Sequence, residues 1–122
     1  MAIYIKESKG KDRGVFTDAD IEVGELIEIC PVIVLPAQDR ELIDQTEIFN
    51  YYFLWDDDHS KSALALGYGS LYNHSNRANT IYESYYEERE IHFICHRPIK
   101  AGEEITINYN LDPDCEEKMW FE

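Results

Sequence analysis

Apolar and polar positions alternate in short stretches along most of the chain, the two-residue period of a half-buried β-strand. The stretches AIYIKE, GVFT, ELIEICPVIVL, SALALGYG, NTIYESYY, EIHFICHR and EEITINYN are rich in Ile, Val, Tyr, Phe and Thr, residues that pack well on a pleated surface. They predict a mainly β chain of short strands. One stretch departs from that period. In DRELIDQTEIFNYYFLW, the residues Leu42, Ile43, Ile48, Phe49 and Phe53 approach helical spacing behind Asp39 as a candidate N-cap, so a single short helix is expected there. Pro31 and Pro36 interrupt the third stretch. A residue without an amide N–H suits an edge, a bend or a strand end better than a central strand.

Two segments share one pattern. ADIEVGELIEI and RPIKAGEEITI both read Ile-x-x-Gly-Glu-x-Ile, at Ile21 to Ile27 and Ile99 to Ile105. Each is expected to be a turn feeding a strand, with Gly24 and Gly102 taking the positive φ that such a turn often needs. An old duplication and one turn solution used twice both account for the repeat.

Composition narrows the class. A chain of 122 residues suits one domain that folds without staples. With 44% hydrophobic and 13% aromatic residues it is globular, and no apolar run approaches the roughly 20 residues that span a bilayer. The start, MAIYIKESKGKDRG, lacks the apolar core of a secretory signal, so a cytoplasmic chain without a membrane partner is expected. A net charge of −14, from 25 acidic against 11 basic residues, disfavours a nucleic-acid surface, which relies on clustered Lys and Arg. A basic partner fits better. Asp56 to Asp58, Glu87 with Glu88, and Glu116 with Glu117 are placed to steer a Lys/Arg-rich peptide, although acidity also serves plain solubility.

Cys30, Cys95 and Cys115 are odd in number and lack paired spacing, which points to reduced thiols rather than disulfides or a zinc knuckle. In IHFICH, strand alternation sends His92 and His96 to one face and Cys95 to the other. No metal site is expected from them.

The stretch GYGSLYNHSNRANTIY, Gly67 to Tyr82, needs another explanation. Glycine and asparagine are turn formers, but a turn has no need of three tyrosines. Taken in chain order, DRGVF, YYF, GYGSLYNHSNRANTIY and GEEITINYN resemble the signature series of SET-domain protein lysine methyltransferases, over about residues 3 to 121. The type most similar is the minimal single-domain SET protein of viruses and bacteria.

The resemblance implies a β-clip of several small sheets with one short helix and a C-terminal pseudoknot. In that pseudoknot the last motif threads beneath an earlier loop, a topology that general rules disfavour. It implies a single SET domain over residues 1–122, with an insert carrying the helix at about 37–60 and an aromatic tail at about 111–122. The implied activity is transfer of a methyl group from S-adenosylmethionine to a lysine of a basic protein such as a histone or histone-like protein. S-adenosylhomocysteine is then the product, and no metal takes part.

By motif position, Tyr109 and Tyr82 would be catalytic, and Tyr51 and Ile107 would line the substrate lysine channel. Arg13, Gly14, Asn73, His74, Tyr109 and Trp120 would contact the cofactor. The chain also departs from the family pattern. Asp12 stands where the first glycine of a Gly-x-Gly turn belongs, and is expected to adopt the left-handed conformation that aspartate tolerates. Only Cys115 stands where larger relatives carry a zinc-binding cysteine cluster, and Trp120 with Phe121 is expected to close the site instead. Ile107 replaces an aromatic residue that limits methylation in relatives, which favours more than one methyl, with Tyr82 as a limit from across the channel. Small viral relatives form dimers, so a homodimer stays open. Two rivals remain: a SET-like module that binds basic peptides without transferring methyl, and a structural or carbohydrate-binding β-clip.

Overall fold

The computed structural model describes residues 2–110. Among the described residues nine strands run in chain order: β1 (Ile3–Glu7), β2 (Arg13–Thr17), β3 (Leu26–Leu35), β4 (Tyr52–Trp55), β5 (Lys61–Ala65), β6 (Asn73–His74), β7 (Thr80–Tyr85), β8 (Glu90–Cys95) and β9 (Glu104–Ile107). One α-helix is found among the described residues, α1 (Arg40–Ile43), between β3 and β4. The described residues form two compact units: the first holds residues 2–28, Leu71–Tyr82 and residues 93–110, and the second holds Ile29–Ser70 and Glu83–His92.

The first unit is built on a four-stranded sheet in the order β1-β2-β9-β6. β1 and β2 pair antiparallel, from Ile3 opposite Thr17 to Glu7 opposite Arg13. Their connection is a β-turn in which the Lys11 N–H donates to the Ser8 carbonyl at 2.9 Å. The left-handed residue of this connection is Gly10, with φ 78°. Asp12 is not among the residues with positive φ, which corrects the expectation for it: a glycine two positions earlier makes the turn with no Cβ penalty.

The last of the described strands lies inside this sheet rather than at its edge. β9 runs antiparallel to β2, with Val15 opposite Ile105, and parallel to β6, with Asn73 opposite Thr106 and His74 opposite Ile107. Insertion of the final strand between two earlier ones is the pseudoknot-type arrangement. Asn79 helps to hold it. Its Nδ2 donates to the Glu104 carbonyl at 2.9 Å and its Oδ1 accepts from the Thr106 N–H at 2.9 Å, so one side-chain amide does the work of a strand's peptide group. Ile105 and Ile107 of β9 are 0% exposed, and with Val15, Phe93 and Tyr72 they form the core of this unit.

The two Ile-x-x-Gly-Glu-x-Ile segments form matching turns. Gly24 and Gly102 have φ 91° and 90°, as their places in the turns require. In each, the glutamate side chain closes back on the turn's start, Glu25 accepting from the Glu22 N–H and Glu103 from the Lys100 N–H. Each turn also docks on the strand that precedes the other. Gly24 N–H donates to the Cys95 carbonyl and Gly102 N–H to that of Thr17, while Ile21 and Ile99 exchange backbone bonds of 2.8 and 3.0 Å. The repeat in sequence is therefore a reciprocal clasp in the fold.

The second unit carries a five-stranded sheet in the order β4-β5-β3-β8-β7, whose strands β3, β7 and β8 begin or end in the first unit's part of the chain. β3 is central in that order, which corrects the edge assignment drawn from Pro31. The missing amide is tolerated because the ladder of β3 with β5 starts at Val32 opposite Ala65, one residue beyond the proline. Pro31 still contributes its carbonyl, which accepts from the Leu66 N–H at 2.9 Å. Pro36 does fall at the strand end.

The helix is shorter than its periodicity suggests. It covers four residues, and Asp39 precedes it without a side-chain capping bond. A 3-10 turn, Glu47–Asn50, follows and is capped by the Thr46 hydroxyl. Phe53, counted with the helical set, lies in β4, opposite Ala63 of β5. The run Tyr52–Trp55 is aromatic enough that pairing outweighs helical spacing.

Candidate active site

Strands β6 and β9 bring two distant motifs side by side. At their junction the Tyr109 phenol donates a hydrogen bond to the backbone carbonyl of Tyr72 at 2.8 Å. Its hydrogen committed there, the phenol oxygen can act towards a ligand only as an acceptor. The Tyr109 N–H donates to Nδ1 of His74 at 3.0 Å, and the two rings lie 5.1 Å apart. Because Nδ1 accepts, the ring proton resides on Nε2, which donates to Asn76 Oδ1 at 2.8 Å. His74 is 2% exposed, so its ring is a structural tie for β9. The His74 carbonyl accepts from Lys11 Nζ at 2.7 Å.

Asn73 is oriented by two acceptors. Its Nδ2 donates to the Arg13 carbonyl at 2.9 Å and to Glu104 Oε2 at 2.7 Å. Only the NH₂ end of an amide can serve two acceptors, which fixes Oδ1 as the remaining acceptor. Gly14 makes room for this. A Cβ there would collide with Glu104 Oε2 and lie 2.8 Å from Asn73 Nδ2, so the contact between these two side chains needs glycine at the start of β2.

Aromatic rings line the same region. Tyr72 is 1% exposed, donates its phenol to Glu28 Oε1 at 2.7 Å and packs at 4.6 Å on Phe93. Tyr82 packs at 6.3 Å on Phe93. Burial, and secondarily the neighbouring Tyr109 phenol, push the Tyr82 phenol well above the ordinary tyrosine range, so it stays neutral and protonated at physiological pH.

The structure thus gathers Arg13, Gly14, Asn73, His74, Tyr82, Ile107 and Tyr109 in the first unit. Tyr51 belongs to the second unit, half-buried after the 3-10 turn. Trp120, Phe121 and Cys115 lie outside the described residues. Cys30 and Cys95 are buried thiols, and burial pushes the Cys95 thiol up. His92 leans on the Tyr85 ring at 4.0 Å, while Cys95 is buried in the strand's opposite alternation. Among the described residues no group of three or more His, Cys, Asp or Glu is placed to hold a metal ion, and no helix is long and apolar enough to cross a membrane.

Sequence reasoning missed Glu104, Ser8, Lys11 and the Tyr72 carbonyl. The first three look like ordinary surface residues in a chain with 25 carboxylates and 11 basic side chains, and a backbone carbonyl leaves no mark in sequence. Asn79 was hidden too, because an asparagine in this stretch reads as a turn former.

The SET domain family model matches residues 12–110. The histone-lysine N-methyltransferase of Schizosaccharomyces pombe described as H3 lysine-37 specific is 32% identical over 121 residues, covering 98% of this chain and 77% of the relative. Among solved structures, a Plasmodium falciparum protein described as a candidate histone methyltransferase is 28% identical, with a TM-score of 0.69 over 88% of this chain and 96% of that one. A humanized mutant of Chaetomium thermophilum Polycomb Repressive Complex 2 shares the fold at 22% identity, with a TM-score of 0.72 over 88% of this chain but 15% of the other. The chain belongs to the SET domain family, and it is a protein-lysine methyltransferase of that family.

Proposed function

We propose that the junction of β6 and β9 transfers a methyl group from S-adenosylmethionine to a lysine of a basic protein of the histone class. The observation that carries this is the Tyr109 phenol, anchored on the carbonyl of Tyr72, the residue before Asn73, whose amide is itself oriented by two acceptors.

The residues present fit the cofactor. Asn73 Oδ1 is an acceptor for its ammonium, the Gly14 cradle lets backbone come close, and the backbone of His74 suits the adenine edge once the Lys11 ammonium gives up that carbonyl. When bound, S-adenosylmethionine supplies an activated methyl group whose leaving group is a neutral thioether. What falls to this chain is alignment and control of charge. A lysine amine, with a free pKa of about 10.4, must shed its proton to act as a nucleophile. Phenol-lined, poorly hydrated surroundings disfavour its ammonium form, and the neutral Tyr82 adds no negative charge that would hold the proton. Tyr109, as an acceptor, takes an N–H of the amine and leaves the nitrogen lone pair to face the methyl group.

Ile107 is fully buried in the core of the first unit, and more than one methyl group is proposed only because its side chain has no hydroxyl to hold a water. The acidic character of the chain favours a basic substrate, and histone H3, named in the description of the S. pombe relative, is the first to test. Incubation with methyl-labelled S-adenosylmethionine and separate core histones should label at least one histone and no acidic control protein. Cofactor binding without transfer to any basic protein would instead favour a peptide-binding module.

A further inference from the structure

We infer that Glu104 is a positioning residue for the cofactor's amino-acid end, acting through Asn73; this rests on the cofactor reading above. Glu104 is the second carboxylate of the pair that opens β9, and the first, Glu103, has a separate task in closing its turn. Each Glu104 oxygen is engaged by one donor. Oε1 accepts from the Ser8 hydroxyl at 2.8 Å, and Oε2 from Asn73 Nδ2 at 2.7 Å. Ser8 is 6% exposed, and Gly14 has no Cβ to push the carboxylate aside.

The result is a chain of contacts from Ser8 through Glu104 to Asn73 in which the last amide has one orientation. Without the carboxylate, Asn73 would keep only the Arg13 carbonyl as acceptor, and its amide would be able to turn its NH₂ end outward. That end repels an ammonium. With the carboxylate present, both NH₂ hydrogens are engaged and Oδ1 is left as the acceptor for a ligand, which the charge behind the amide polarises into a better one. A cationic α-amino group is the ligand chemistry this arrangement suits, and the nucleoside end of the cofactor does not depend on it.

The test compares two probes by calorimetry: S-adenosylhomocysteine, which has the amino-acid end, and 5′-methylthioadenosine, which lacks it. Glu104→Ala should weaken the first by about tenfold or more and leave the second within about threefold. In an Asn73→Ala background the same change should add little, because the two residues act as a unit. Glu104→Gln guards against a folding defect. Its amide oxygen can accept from Asn73 and its NH₂ can donate to Ser8, so it keeps the contacts and loses only the charge. It should weaken S-adenosylhomocysteine by about threefold, again without effect on methylthioadenosine. Equal weakening of both probes, or of neither, in the variant that folds overturns the inference. Failure of the unmodified protein to bind either probe overturns the cofactor reading itself and is thereby distinguished.

Discussion

Replacing Asn79 probes the last strand's place in the sheet and separates shape from hydrogen bonding. The Asn79 amide serves two β9 backbone groups at 2.9 Å each, donating to one and accepting from the other, and its Oδ1 also accepts from Thr80 Oγ1 at 3.1 Å. Asn79→Ala leaves the Glu104 carbonyl and Thr106 N–H short of partners. At about 1–3 kcal/mol per deprived buried group, taken towards the low end because the site is only part-buried, the loss is about 2–4 kcal/mol. For a domain of this size ~3 kcal/mol lowers Tm by roughly 10–15 °C. Asn79→Asp is nearly isosteric, yet near pH 7 it places a carboxylate oxygen against the Glu104 carbonyl, and it should be at least as destabilising as alanine. Its carboxyl would titrate higher when folded than when unfolded, since only the protonated form can donate to that carbonyl. The aspartate variant should therefore recover stability as pH falls through its folded pKa, with the gain complete below about 4. Urea and thermal unfolding of both variants across pH provide the assay. A loss below about 0.5 kcal/mol for alanine, or an aspartate variant as stable as the parent near pH 7, would refute the bracing role.

Further outcomes follow from the same geometry. Gly14→Ala forces the Glu104 carboxylate off Asn73; because that carboxylate ends a flexible side chain, the cost is the lost hydrogen bonds, about 1–3 kcal/mol, together with weaker binding of S-adenosylhomocysteine by calorimetry. An unchanged affinity would show that the cradle is not used. Tyr82 has a folded pKa raised above its unfolded value of about 10, so its contribution is present below that pH and is lost as pH rises through the folded value. The stability gap between parent and Tyr82→Phe should therefore shift in favour of phenylalanine as pH climbs above about 10, and a pH-independent gap in urea melts would contradict it. Gly24→Ala and Gly102→Ala each place a side chain at φ near 90° with nothing near the new Cβ, so each should cost about 1–2 kcal/mol by backbone strain alone. Urea midpoints equal to the parent's would count against the clasp.

Much of the β architecture was legible because alternation and β-branched residues mark strands that bury one face. Seven strands were visible in that way, and the repeated Ile-x-x-Gly-Glu-x-Ile identified two turns whose glycines have the expected φ. Two strands were not visible. β6 is two residues long, too short for any period, and exists because β9 pairs with it. β4 was hidden inside a stretch whose spacing also fits a helix. The central place of β3 was masked by Pro31, whose cost depends on where the neighbouring ladder begins, a fact of tertiary structure. At the site, Tyr109, Asn73 and His74 could be named from motif order, but their orientation could not. The His74 tautomer and the Asn73 amide direction are set by a backbone N–H and a carboxylate that are 35 and 31 residues away in sequence.

The most direct measurement is the rate of methyl transfer to histone H3 at saturating S-adenosylmethionine, for the parent and for Tyr109→Phe. Removing the phenol oxygen while keeping the ring should lower the rate by about a hundredfold or more, as expected when an acceptor that aligns the reacting amine is lost. S-adenosylhomocysteine affinity should stay within about threefold. A phenylalanine variant that transfers methyl as fast as the parent would contradict the assignment of this phenol to the centre of the reaction.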